Sequence, residues 1–341
     1  MKIKICIVTV FYMIMPGPAD IAGHVSSLGD FTILNVSQVC ADEGFPTDVK
    51  TQKEVVRPRV KKFRKGDKFV IVLIPEKNVF DQRNQYKHIT NYLSKKLDLD
   101  VQAEILPSYG DICRAFLRGE ADAGFFGGFS YIMTRNKVAI EPVARPVWLD
   151  NSSTYSGYIF VRRDSGIRTV EDMEGKSIAL VHRATTAGYI FPRAYFKRHG
   201  ISDMENYFSK IYFAGSHDTS AWAVYTGEAD IGSCKNRIFN ALAREDQDFR
   251  NQMVVLAESQ EMPSNGLAVS RYLDPALKSR IKNLLLNLDK NREGRLVLKN
   301  FGAVRFIETR DEDYALQDQM IKEAGVDIET NACGYMIRGG R

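Results

Sequence analysis

Cysteine is sparse and unpatterned: Cys6, Cys40, Cys113, Cys234 and Cys333 form no CxxC and keep no regular spacing. That excludes the common zinc and dithiol signatures and leaves open a disulfide between distant positions. The chain also has no HExxH, no carboxylate-rich metal cluster and no GxxxxGK[ST], so the familiar metalloprotease and nucleotide-phosphate signatures are missing. No nucleophile, base and orienter stand at a recognisable spacing. Beyond the N-terminus no apolar run is long enough to suggest a membrane span.

What is present is a chain of 341 residues, 44% hydrophobic, with a formal charge of +5. That length accommodates one large core or two medium ones without a metal or disulfide. Met1 to Lys4 is basic, Ile5 to Met15 is apolar, and Ala19 to Gly23 is rich in small residues, so residues 1–23 read as an export signal. Residues 24–66 are expected to be a flexible basic segment. From Lys50 to Lys68 the chain carries nine basic residues against two acidic ones. With a single aromatic, Phe63, and no recognition-helix pattern the tract reads as a solvated tether, and no nucleic-acid contact is expected.

The most informative feature is a repeat. Gly119-Glu120-Ala121-Asp122-Ala123-Gly124 returns as Gly227-Glu228-Ala229-Asp230-Ile231-Gly232, each time after a helix-like stretch. A helix ending at Gly, an acidic turn and a strand entry are what a βαβ unit needs at its handover. Two copies predict two α/β lobes with a ligand cleft between them. The apolar run Lys68 to Ile74 predicts a buried parallel strand. Tyr86, Ile89, Tyr92, Leu93 and Leu97 mark one helix face. Further strands are expected at Val101 to Leu106, Ala121 to Phe125, Ile140 to Val147, Tyr155 to Val161, Lys176 to Val181, Lys210 to Ala214, Ala229 to Ser233, Met253 to Ala257 and Leu267 to Ser270. The expected organisation is lobe 1 from residues 67–155 plus 262–330, lobe 2 from 156–261, and a tail at 331–341.

Three strand-to-helix junctions carry polar side chains. Thr185 and Thr186 precede one helix, Ser216, His217 and Ser220 open another, and Ser108 and Tyr109 open a third in the first lobe. Each alone is an ordinary cap. Together they stand where open α/β sheets bind ligands, beyond the C-terminal ends of their strands, with helix N-termini suited to an oxyanion.

These residues resemble the periplasmic phosphate, phosphite and phosphonate binding proteins of ABC transporters, a family of class II solute-binding proteins. The resemblance runs from about Phe69 to Tyr314 and rests on Ser108-Tyr109, the run Gly119 to Tyr131, Arg162 to Ile167, Thr185 to Pro192, Gly215-Ser216-His217-Asp218 and Ser259 to Pro263. It implies a two-lobed, periplasmic-binding-protein-like (type II) α/β fold, each lobe a central mixed sheet flanked by helices. It also implies a monomer outside the cytoplasmic membrane that binds a small oxyanion for a permease, or for a membrane sensor, with no cofactor and no metal.

Carried over by position, Thr185, Thr186 and Ala187 stand for the family's Ser-Thr-Ser run, Tyr109 for a first-lobe tyrosine, and His217 for the histidine of Gly-Ser-His-Asp. Phe126 aligns with a second tyrosine and lacks its hydroxyl, and the Gly127 and Gly128 backbone adds donors. Two hydroxyls are thus lost, with Arg183, Lys77 or Lys235 as candidate replacements. Acidic residues that would receive an amino group are not evident near Cys234 to Asn236 or Ser264 to Gly266, which disfavours an aminoalkyl phosphonate. Phosphate, phosphite and small phosphonates are the expected ligands; arsenite is a minor alternative in which Cys234 or Cys113 would supply a soft ligand. The rival reading is an enzyme with His217 as general base and Asp218 or Asp230 as its orienter.

Overall fold

The computed structural model describes residues 60–328. The expected signal segment, most of the basic segment and the C-terminal tail lie outside the described residues. Strands β1 Lys68–Leu73, β2 Asp100–Ile105, β3 Ala123–Phe126 and β4 Ile140–Trp148 come first in the chain. A short strand, β5 Thr154–Tyr155, then leads to β6 Gly157–Arg162, β7 Ser177–Leu180, β8 Lys210–Phe213, β9 Ile231–Lys235 and β10 Met253–Glu258. The chain returns through β11 Met262–Pro263 to β12 Gly266–Ser270 and β13 Ala303–Glu308.

These strands form two mixed sheets, in the orders β13-β4-β12-β3-β1-β2 and β10-β6-β9-β7-β8. This is the two-lobed α/β architecture expected. The chain passes from the first sheet to the second through β5 and returns through β11, and those two strands pair with each other, Met262 opposite Tyr155. Tyr155 to Val161 is not one extended segment. It breaks at Ser156, whose carbonyl accepts the Asn236 N–H at 2.9 Å and whose hydroxyl bonds Glu258.

In β1 the continuous apolar run is buried on both faces. Phe69, Ile71 and Leu73 pack with Tyr86, Ile89 and Leu93 of the helix Val79–Leu97, whereas Val70, Val72 and Ile74 face Ile112 and Phe116 of the helix Asp111–Leu117. A strand covered by helices on both sides has no polar face to alternate with. The end of the basic tract is anchored beside it: the Lys61 N–H donates to the Tyr272 carbonyl at 2.8 Å and the Lys61 ammonium meets the Asp122 carboxylate at 2.5 Å.

The repeat occupies equivalent places in both sheets. β3 lies between parallel β1 and antiparallel β12; β9 lies between parallel β7 and antiparallel β6. Its first glycines, Gly119 and Gly227, adopt positive φ of 69° and 80°, the left-handed turn that ends each preceding helix. Its aspartates do the same work. Asp122 accepts the Val70 N–H at the start of β1 at 2.9 Å, and Asp230 accepts the Ser177 N–H at the start of β7 at 2.8 Å. Its last glycines let a helix and ring come close: a Cβ on Gly232 would lie 2.4 Å from Phe160, and one on Gly124 would lie 2.9 Å from Phe126. Among the described residues no helix is long and apolar enough to cross a membrane.

Candidate functional site

Three helices begin where the C-terminal ends of the strands of the two sheets face each other. Gly127 caps the helix Gly128–Arg135 after β3, Thr185 precedes the turn Thr186–Ile190 and helix Phe191–Arg198 after β7, and Ser216 caps the helix His217–Tyr225 after β8. Each leaves its first backbone N–H groups without intrahelical acceptors, a partial positive charge aimed at the gap. A small cavity lies there, lined by residues of both sheets: Tyr109, Gly127, Thr185, Thr186, His217 and Lys235 among them.

Two of these side chains end in buried polar atoms with no partner, the Tyr109 hydroxyl and His217 Nε2. Tyr109 is 2% exposed and His217 1%. Leaving a donor unpaired in the interior costs about 1–3 kcal/mol, so two around one cavity mark it as polar by construction. The Tyr109 ring stacks on His182 with centroids 5.5 Å apart and meets His217 edge-on at 6.4 Å, which fixes where its hydroxyl points. Burial, with Glu76 and Asp218 nearby, pushes the Tyr109 phenol well above its ordinary range, so it stays a donor. Burial, reinforced by the Lys235 charge, pushes His217 well below its ordinary value, so the ring is neutral.

The threonines are more engaged than free hydroxyls. Thr185 Oγ1 donates to the His182 carbonyl at 2.6 Å, while Thr186 Oγ1 accepts the Phe129 N–H at 2.9 Å from the helix on the opposite sheet. Thr186 therefore ties the two sheets together. So does Lys235: its ammonium bonds the Glu76 carboxylate from the end of β1, reaches the Asn265 Oδ1 at 2.8 Å and lies 4.7 Å over the Tyr155 ring.

Of the residues expected at the site, Tyr109, Gly127, Thr185, Thr186 and His217 share the cavity. Phe126, Gly128 and Ala187 are not among its lining residues. Phe126 packs on Phe116 and Tyr131 in the core; a Cβ on Gly128 would strike Gln317 at 2.7 Å; and the Ala187 carbonyl accepts the Ser233 hydroxyl at 2.7 Å. Of the three cations proposed as replacements, Lys235 reaches the cavity. Arg183 instead donates to the Tyr189 hydroxyl at 3.0 Å and covers Phe213, and Lys77 lines the space next door. Ser130 and Tyr155 also line the cavity; they lie in the motif Gly119 to Tyr131 and at the head of an expected strand, with nothing in either to mark them as site residues, and Glu76 gave no signal because a lone acid after Pro75 forms no pattern.

Neither carboxylate offered as an orienter for His217 serves that role. Asp218 accepts the N–H groups of Asn78 at 3.2 Å and Thr219 at 2.9 Å, and Asp230 is held by Ser177. Among the described residues no three His, Cys, Asp or Glu side chains group as a metal site. Cys234 is buried, and burial pushes its thiol far above its ordinary value, which removes the thiolate a soft oxyanion would need.

A family model described as "ABC transporter, phosphonate, periplasmic substrate-binding protein" matches residues 71–314. The chain is 24% identical over 224 residues to the "Phosphate-import protein PhnD" of Mycolicibacterium smegmatis, covering 63% of this chain and 70% of that protein. Its fold is similar to that of a binding protein component of a phosphonate ABC transporter from Pseudomonas aeruginosa, with a TM-score of 0.70 at 18% identity over 76% of this chain and 87% of the other. It is also similar to PhnD1 of Prochlorococcus marinus, solved with methylphosphonate, at a TM-score of 0.68 and 18% identity over 76% of this chain and 98% of that one.

Proposed function

The chain belongs to the family of periplasmic substrate-binding proteins of phosphonate ABC transporters, and we propose from that premise that it captures a small phosphorus oxyanion outside the cytoplasmic membrane and presents it to a permease. Phosphate, phosphite and small phosphonates are the ligands. One observation carries the reading: Tyr109 from the first sheet and His217 from the second aim unpartnered polar atoms at a cavity that Lys235 also lines.

Closure makes this a capture site. Donors from both sheets reach one ion only when the sheets approach, so the ion stabilises the closed population by the bonds that the open form lacks. Thr186 to Phe129 and Lys235 to Glu76 hold the same gap from its sides. A neutral His217 donating through Nε2 supports an anion without adding a charge that would need its own counterion. Each charge-assisted bond in such a dry place contributes about 1.5–3 kcal/mol.

Titration calorimetry of the full chain with phosphate, phosphite and methylphosphonate, and with sulfate and chloride as controls, tests this. A single site with at least one phosphorus oxyanion bound more tightly than sulfate is the expected result. Heats no larger than those of chloride for all three would remove the proposal.

A further inference from the structure

The oxyanion cavity shares Tyr155 and Lys235 with a second cavity of about 190 Å³, also lined by both sheets. Its charged lining is four cations, Lys77, Lys235, Arg237 and Arg244, and one carboxylate, Glu76. Two of the cations are paired: Lys235 with Glu76, and Arg237 with Asp150 at 2.9 Å while stacked 4.5 Å over Trp148. Lys77 and Arg244 have no ion-pair partner among the described residues. The lining therefore keeps two uncompensated positive charges after its pairs are counted.

A second, independent feature lies at the junction. Asn265, 5% exposed, gives its Oδ1 to the Lys235 ammonium, which orients the amide so that Nδ2 is a donor, and that Nδ2 has no partner. The buried amide donor calls for an acceptor, and the half-buried Lys77 and exposed Arg244 on the same lining favour one with negative charge.

We infer that this second cavity is a substituent subsite selecting phosphonates whose short organic chain carries a carboxylate. The phosphorus head group occupies the Tyr109 and His217 cavity, and the carboxylate reaches Asn265 Nδ2 and the side of the chamber formed by Lys77 and Arg244. A neutral alkyl chain leaves the amide unpaired. An ammonium meets Lys77 and Arg244 as like charges, and the one carboxylate available to it, Glu76, is already held by Lys235. This inference rests on the oxyanion reading of the first cavity.

Calorimetry of the full chain with phosphonoacetate, ethylphosphonate and 2-aminoethylphosphonate, three ligands of similar size, separates the two. Phosphonoacetate is expected to bind at least about tenfold more tightly than ethylphosphonate, with 2-aminoethylphosphonate the weakest. The double variant Lys77→Gln, Arg244→Gln is expected to lower the phosphonoacetate-to-ethylphosphonate affinity ratio by about fivefold. Ethylphosphonate or 2-aminoethylphosphonate binding as tightly as phosphonoacetate, or a ratio unchanged in the double variant, overturns the inference and leaves the oxyanion site standing. If none of the three binds while phosphate, phosphite and methylphosphonate also fail, the head-group reading falls and takes this one with it; if only the three longer ligands fail, the inference alone falls.

Discussion

His217 Nδ1 accepts the backbone N–H of Lys235 at 3.2 Å. An imidazole nitrogen that accepts carries no proton, so the proton of the neutral ring sits on Nε2, the atom left unpartnered at the cavity. The end of β9 thereby sets the tautomer that makes His217 a donor. Replacing His217 with Phe keeps a ring of similar size and deletes that donor. Anion affinity is expected to fall by about 1–3 kcal/mol, and because Phe also leaves the Lys235 N–H without its acceptor the melting temperature of the unliganded protein should fall as well; calorimetry showing full affinity would remove His217 from the site.

Tyr109→Phe tests the opposite sheet, with a sign that separates binding from folding. The hydroxyl has no partner in the protein, so its loss should leave unliganded stability equal or slightly higher. The anion-dependent rise in melting temperature should shrink at the same time. A variant that is destabilised yet binds normally would mean that the hydroxyl supports the fold alone.

Thr186→Val removes the acceptor for the Phe129 N–H between the two sheets. Anion binding measured by calorimetry should weaken by about 1–3 kcal/mol, because the closed form loses a bond that the open form does not make. Retention of wild-type affinity would show that closure does not depend on this contact.

Glu76→Gln leaves the Lys235 ammonium, 11% exposed, without its counterion. Breaking such a pair is expected to cost roughly 3 kcal/mol in the absence of ligand, while an oxyanion in the adjoining cavity becomes the counterion. The melting temperature should fall without anion and the anion-induced rise should grow. An unchanged rise would separate Lys235 electrostatically from the cavity.

The pH dependence has a defined direction. Burial holds His182 down to about 4, against an ordinary 6.5, and His217 is lowered as well. A depressed folded-state value means that the unfolded chain binds more protons in this window, so stability is complete above about 6.5 and is lost as pH falls toward about 4. For His182 the loss is about 3 kcal/mol over that range. Urea denaturation between pH 7 and pH 4 should show it, and His182→Asn should flatten the slope; an identical slope in the variant would assign it to other groups.

Much of the fold was legible because its signals are local. The run Lys68 to Ile74 is a strand buried on both faces, and the repeated Gly-Glu-Ala-Asp marks two helix-to-strand handovers whose aspartates tie down β1 and β7. The lining of the candidate cavity was legible where a residue sits at a helix start, as Thr186 and His217 do. It was not legible where direction depends on distant partners. Lys235 is aimed by Glu76, 159 positions away, and by Asn265, 30 positions away. Phe126, Gly128 and Ala187 have only their position along a motif to mark them, and they are absent from the cavity lining.

The most direct measurement is a crystal structure grown with phosphite or methylphosphonate. One anion is expected between the two sheets, with oxygens within hydrogen-bonding distance of the Tyr109 hydroxyl and His217 Nε2 together. An anion bound elsewhere, or held by one sheet while the other stands away from it, would contradict the account.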